Sequence, residues 1–336
     1  MAARDYAGCY SGLDDILFDG NKYVCKLEPK WAKKAREELN EDPKERDAAV
    51  DQFRQWVKQQ PHYAVCTDTN FLLQFLRRCK FSQLEARTMF DVYHSKIYNE
   101  LPFWMCNLDT ESSAMKKLLT RDMPFLVLPD RDSEGRRILI WRAGGYQTGK
   151  NCGYNNEDLF AMIGSVFMCI MREELTQVNG VVLFKDGTGQ TLKHTTFIGM
   201  ETVKNASMIF YNNFPARIKH VYMYNSGAVM EAFTAIFWPF LSNKIKERFN
   251  YFPNLEELYE KLPMKLLPKE YLPDDYTGPH AGTISQISNY WYQRLTSPEL
   301  NKRIKTLSTT QFKVDETKRP KKGQDEVASF RKLNIE

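Results

Sequence analysis

Residues 181–225 read VVLFKDGTGQTLKHTTFIGMETVKNASMIFYNNFPARIKHVYMYN. The stretch opens on an apolar run, Val181-Val182-Leu183-Phe184, and turns through Gly187 and Gly189. A helical pattern follows over about 192–211, and a second strand pattern covers 217–224. Strand, long crossover, strand is what parallel pairing requires, because an antiparallel pair needs only a short turn. Upstream, Phe125-Leu126-Val127-Leu128 is a strand, 130–135 a turn cluster and 137–141 another strand. A helix opens at Asn156 and runs through Leu175, and a last one covers 255–261. Alternating strands and helices predict an α/β fold with a mostly parallel sheet covered by helices.

The next stretch, 228–248, reads AVMEAFTAIFWPFLSNKIKER. Val229, Met230, Phe233, Ile236, Phe237, Trp238, Phe240 and Leu241 are eight large apolar side chains. At about 1.5–3 kcal/mol each for full burial, water is not their resting environment. The run is too short for a membrane span, which needs about twenty apolar residues. Two readings remain: a buried core helix, or a cover over a lipid site whose basic end meets a membrane.

Residues 30–110 predict a small all-helical unit. Trp31, Ala35 and Leu39, then Val50, Phe53 and Val57, fall at helical spacing. Asp68 and Ser82 supply caps for FLLQFLRRCKF (71–81) and for the helix after it. The expected organisation is a loosely ordered 1–29, the helical unit 30–110, a ligand-binding domain 111–275 and a partly flexible, basic extension 276–336. The chain has 336 residues, 47 Lys/Arg and 42 Asp/Glu. Residues 301–336 hold ten Lys/Arg against five Asp/Glu, so the tail carries the whole net charge of +5. That excludes a uniformly basic nucleic-acid binder. Seven scattered cysteines without a CxxC pair, and five dispersed histidines, do not build a zinc site. No cofactor or metal is expected. The N-terminus lacks an apolar signal core, so a reducing, cytoplasmic setting is expected.

Three patterns invite a catalytic reading. Gly144 to Lys150 matches GxxxxGK, but Asn151 follows where a phosphate loop needs Ser or Thr, and the helix does not open at once. Gly187 and Gly189 form a lone GxG, which a strand-to-helix turn explains. Glu173-Glu174 reads as a solvated helix end. The basic residues say more. Arg217 and Lys219 are two apart on a predicted strand, and Lys244 and Arg248 four apart on a predicted helix, so each pair shares a face. Four cations at an anionic surface would contribute about 1 kcal/mol each, enough for transient docking.

FLLQFLRRCKF, VVLFKDGTGQTLKH, NNFPARIKHVYMYN, FWPFLSNKIKER and LPKEYL (267–272) occur in an order that resembles CRAL-TRIO lipid-binding proteins. The similarity covers roughly 30–275, and the branch it most resembles holds the α-tocopherol transfer, retinaldehyde-binding and clavesin-like proteins. The resemblance implies an apolar pocket between sheet and helices, closed by a mobile helical gate. It places Val229, Phe233, Ile236, Phe237 and Phe240 in the gate. It places Phe160, Ile163, Phe167, Val181, Leu192, Ile209, Phe210, Phe214 and Val221 at the pocket wall. It assigns Arg217, Lys219, Lys244 and Arg248 to a phosphoinositide headgroup. A further Arg of that site is replaced here by Cys79, which implies a weaker anchor. Ile163 and Phe167 stand where the tocopherol branch has small hydroxyl side chains, which argues against assuming tocopherol, and the cargo stays open among tocopherol, retinoid, carotenoid and phospholipid.

The function expected is a non-enzymatic carrier of a hydrophobic small molecule or lipid, exchanging its cargo at phosphoinositide-containing membranes. A non-transferring membrane adaptor, using the basic tail, is the alternative, and a nucleotide-dependent enzyme using 144–150 the third. Oligomeric state is not legible.

Overall fold

The computed structural model describes residue 4, residues 6–17 and residues 23–320. Among them are seven strands: β1 (Tyr63–Val65), β2 (Phe125–Arg131), β3 (Arg137–Arg142), β4 (Val181–Asp186), β5 (Ile218–Tyr224), β6 (Phe249–Phe252) and β7 (Phe312–Val314). The main sheet has the order β2-β3-β4-β5-β6. β3 through β6 pair in parallel, and β2 is antiparallel to β3. The antiparallel step follows from a tight turn in which Asp132 accepts from the backbone N–H groups of Glu134 and Arg136 at 3.0 and 2.8 Å. The parallel steps each carry a helical crossover, as the alternation in sequence predicts.

Register fixes the faces. Leu139, Leu183 and Val221 are successive partners, as are Trp141, Lys185 and Met223. Each row shares one face of the sheet. The predicted helix from 156 divides into Asn156–Ile170 and Glu174–Asn179. The predicted helix 192–211 breaks at Gly199, whose φ of +86° suits glycine, into Leu192–Ile198 and Met200–Met208, with a wide turn at Ile209–Asn213.

The helical unit is riveted to the sheet domain by buried charge. Arg77 is wholly buried and donates to Glu41, to Glu174 at 2.9 Å and to Gln177 at 2.7 Å. Glu173, also buried, receives Arg137 and Arg131. Arg172 meets Asp68 at 2.5 Å. Glu173-Glu174 is therefore no solvated helix end. The two carboxylates are buried because guanidinium groups from the 69–78 helix and the sheet surround them, and those neighbours are distant in sequence.

Among the described residues, segments near both ends pack against the body. Tyr10, Leu13 and Ile16 are buried, and Tyr10 stacks edge-on to Trp291 at 5.4 Å. Helices Ile284–Leu295 and Pro298–Thr310 pack inward through Ile287, Trp291, Leu295, Leu300, Ile304 and Leu307. β7 then pairs with β1 of the helical unit, and Arg319 reaches Asp91 at 2.6 Å. Residues 276–320 thus belong to the folded body. The basic end, 321–336, lies outside the described residues.

Candidate functional site

An apolar cavity of about 150 Å³ lies over the sheet. β2 gives it Phe125, β3 gives Leu139 and Trp141, and β4 gives Leu183, Phe184 and Lys185. The Asn156–Ile170 helix contributes Leu159, Phe160, Ile163 and Phe167, which its 3.6-residue period turns to one side. Asn155 starts that helix with a capping box, exchanging hydrogen bonds with Asp158 at 2.8 and 3.0 Å. Gly164 lets it approach closely, since a Cβ there would stand 1.7 Å from the Trp104 carbonyl oxygen. This contact brings Trp104 into the wall. Val203, Ala206 and Ser207 close another side, with Phe210 and Tyr211 from the wide turn.

The cover is the helix Ala228–Phe237. Met230, Thr234 and Phe237 face inward, one helical turn apart, and Phe233 reaches the cavity wall. Phe237 stacks on Tyr211 with centroids 5.7 Å apart. Only Met230, Phe237 and Leu241 of the eight large apolar side chains in 229–241 are fully buried. Val229, Phe233, Ile236 and Trp238 are half-buried, and Phe240 is 43% exposed beside the Lys204 ammonium. No helix among the described residues is long and apolar enough to cross a membrane.

Of the expected wall residues, Phe160, Ile163, Phe167 and Phe210 border this cavity. Val181, Ile209 and Val221 are fully buried but packed in the core away from its wall. Phe214 stacks on Trp104 at 5.8 Å and borders a separate 30 Å³ void. Leu192 is 68% exposed. The break at Gly199 ends the helical phase that would have carried Leu192 inward, and Ile198 takes the wall position instead. Trp104, Trp141 and Lys185 were missed. The sheet register identifies Trp141 and Lys185 once β3 and β4 are known to be parallel.

A second, polar cleft of about 290 Å³ opens beside the cover. Arg217, Lys219, Lys244 and Arg248 line it together, joined by Arg78 and Lys80. Gly180 admits this arrangement, since a Cβ on it would lie 2.0 Å from the Arg217 carbonyl oxygen. Ser242 caps the short helix Asn243–Lys246 that carries Lys244. Lys246 turns instead to the Trp238 ring. Glu38 is the carboxylate that reaches in, 3.0 Å from Arg217 and 3.4 Å from Lys219. Burial, then the neighbouring Arg217 charge, pushes the Lys219 ammonium down to about 8. Burial likewise lowers Arg78, Arg217 and Arg248. Six cations held this close repel one another, and an anion relieves that repulsion.

Cys79 is not a gap in this cleft. Its thiol turns inward to Met89 at 3.8 Å. Lys80 and Phe81 adopt left-handed φ of 52° and 62°, and the Phe81 N–H closes on the Leu76 carbonyl at 2.7 Å. That helix end aims Arg78 and Lys80 at the cleft.

The glycine-rich stretch 144–150 packs onto the turn after β4. A Cβ on Gly144 would lie 2.3 Å from the Thr188 carbonyl oxygen. The following helix starts at Asn156, too late for its N-terminus to meet a phosphate held by this loop.

A helix-covered apolar cavity above a mostly parallel sheet, with a cationic cleft at its side, is the architecture of a protein that encloses a hydrophobic ligand. A family model described as CRAL/TRIO domain matches residues 121–271, and one described as Pinta-like, UBA domain matches 42–115. The chain is 32% identical over 260 residues to an alpha-tocopherol transfer protein-like protein of Homo sapiens, covering 74% of this chain and 71% of that one. It is 29% identical over 279 residues to Clavesin-1 of Xenopus laevis, covering 82% and 80%. A crystal structure of Sfh5 is similar at TM-score 0.43 and 10% identity, covering 80% of this chain and 98% of that one. The chain belongs to the CRAL/TRIO family of lipid- and small-molecule-binding proteins.

Proposed function

We propose that this protein carries a hydrophobic small molecule or lipid and exchanges it at phosphoinositide-bearing membranes, with the Ala228–Phe237 helix as the gate. The observation that carries the reading is Tyr211. Its side chain lies in the wall of the apolar cavity and in the wall of the cationic cleft, and it stacks on Phe237 of the cover. Occupation of the cleft by a phosphorylated headgroup therefore acts on the residue that seats the gate. Lys244 and Arg248 belong to the segment that continues from the gate, so the headgroup and the cover pull on one stretch of chain. Exposed Phe240, next to Lys204, gives the gate an apolar point to place in a bilayer. Release is then a population shift, since an open gate gains lipid contacts that a closed one lacks. No bond is made or broken. Cys25, Cys66, Cys79, Cys106, Cys152 and Cys169 form no disulfide among the described residues, in keeping with a reducing, cytoplasmic setting.

Transfer of a fluorescent lipid analogue between vesicles tests this. Phosphoinositide in the acceptor vesicles should speed transfer by wild type, and Phe240→Ala should slow it. Phe240 is preferable to Phe237, which is the fully buried end of the gate helix and whose loss would damage the fold. Equal rates to acceptors with and without phosphoinositide would overturn the reading.

A further inference from the structure

One group in the cavity wall is not explained by an apolar cargo. Lys185 lies on β4 between its register partners Trp141 and Met223, and its side chain borders the cavity. The ammonium stands 5.5 Å from the Tyr211 ring centre and 5.4 Å from that of Phe237. Among the described residues no carboxylate pairs with it. Lys185 is part-buried, whereas the fully buried Arg77, Arg137 and Arg172 each meet a carboxylate. A cation at an apolar wall with ring faces and no counter-ion beside it is open to an anionic partner. Two more polar atoms of wall residues lack partners: Trp104 Nε1 and the Tyr211 hydroxyl, on side chains 3% and 2% exposed.

We infer that the cargo bears a single anionic head, a monocarboxylate on an apolar body, and that Lys185 receives it. The inference rests on the carrier reading above. One ammonium matches one negative charge. A phosphate head would bring a second charge with no further cation in this wall. A carboxylate has lone pairs to spare after meeting the ammonium, and the unpartnered Trp104 and Tyr211 donors belong to the same wall. A neutral alcohol would leave the charge of Lys185 unmet.

The test compares dodecanoic acid with dodecan-1-ol, each displacing a fluorescent apolar probe from the full chain. Wild type should prefer the acid by about tenfold or more, the scale of a hydrogen bond to a charged partner. Lys185→Met should lose the preference while still binding the alcohol, and Lys185→Arg should keep it. The acid-to-alcohol ratio is read within each variant, so partial loss of folded protein does not imitate the effect. Should Lys185→Met not fold, Lys185→Gln is read in its place. Equal affinities in wild type, or a preference that survives in the uncharged variant, overturns the assignment and leaves the carrier reading standing. Failure of wild type to bind either compound overturns both.

Discussion

Two groups of cations in this molecule look alike in sequence and behave in opposite ways. At the seam between the helical unit and the sheet and just inside each, Arg77, Arg131, Arg137 and Arg172 are matched by Glu41, Glu173, Glu174 and Asp68. In the cleft lined by Arg78, Lys80, Arg217, Lys219, Lys244 and Arg248, Glu38 forms ion pairs with Arg217 and Lys219. The seam is closed to solvent and its charges are consumed internally. The cleft keeps an excess of positive charge, with Arg78, Arg217, Lys219 and Arg248 part-buried and Lys80 and Lys244 exposed. The number of carboxylates per cation, and not the number of cations, distinguishes the two groups.

The largest expected effect breaks the seam. Arg77→Met leaves Glu41 and Glu174 buried without their main partner, and loss of one member of a buried pair costs about 3–5 kcal/mol. Urea denaturation reads it. A cost below about 1 kcal/mol would place the seam with exposed pairs and dissolve the contrast. In the cleft, Arg217→Gln with Lys244→Gln should leave stability nearly unchanged yet weaken binding to phosphoinositide vesicles. At about 1 kcal/mol per cation near an anionic surface, the loss is roughly thirtyfold. Sedimentation with vesicles measures it, and wild-type affinity in the double variant would remove the headgroup assignment.

The third effect is proton-linked. The folded ammonium of Lys219 titrates at about 8, below its usual 10.5, because it is buried beside Arg217. An anionic headgroup binds the charged form, so vesicle affinity should fall as pH rises through 8. Folding carries the opposite sign. Between 8 and 10.5 the unfolded chain holds the proton that the folded one has shed, so Lys219 makes stability rise with pH there. Lys219→Met should flatten the binding profile, and an unaltered slope would assign the dependence elsewhere. The smallest effect comes from Glu38→Gln. Glu38 competes with the headgroup for Arg217 and Lys219, so its neutralisation should tighten vesicle binding about two- to threefold, the worth of a partly exposed ion pair. Weaker binding would mean that Glu38 serves to position the two cations.

Much of the sheet was legible. β2 through β5 follow from apolar runs spaced by helical segments, because burial on both faces makes such strands nearly continuous in Val, Ile, Leu and Phe. β6 was not, since Phe249-Asn-Tyr-Phe252 is four residues between Arg248 and Pro253 and has neither length nor alternation. β1 and β7 are three residues each and exist only because the chain end returns to the helical unit. The order of 284–310 did have a signal: Ile284, Ile287, Trp291 and Leu295, then Leu300, Ile304 and Leu307, fall at helical spacing. High net charge farther along the tail concealed it. In the site, residue type and spacing indicated the cleft, but the direction in which a helix end points its last residues did not follow from spacing. Hence Cys79 read as a missing arginine, while Arg78 and Lys80 stand in the cleft. The cavity wall was least legible, because one break at Gly199 exchanges Leu192 for Ile198.

The central claim is that the cleft and the cavity communicate through Tyr211 and the gate. The most direct measurement loads the protein with a fluorescent apolar ligand and follows its release in a stopped-flow mixer, with and without a short-chain phosphoinositide. Release should be faster when the phosphoinositide is present, with no acceleration in Arg217→Gln/Lys244→Gln. A phosphoinositide that binds the cleft and leaves the release rate unchanged would contradict it.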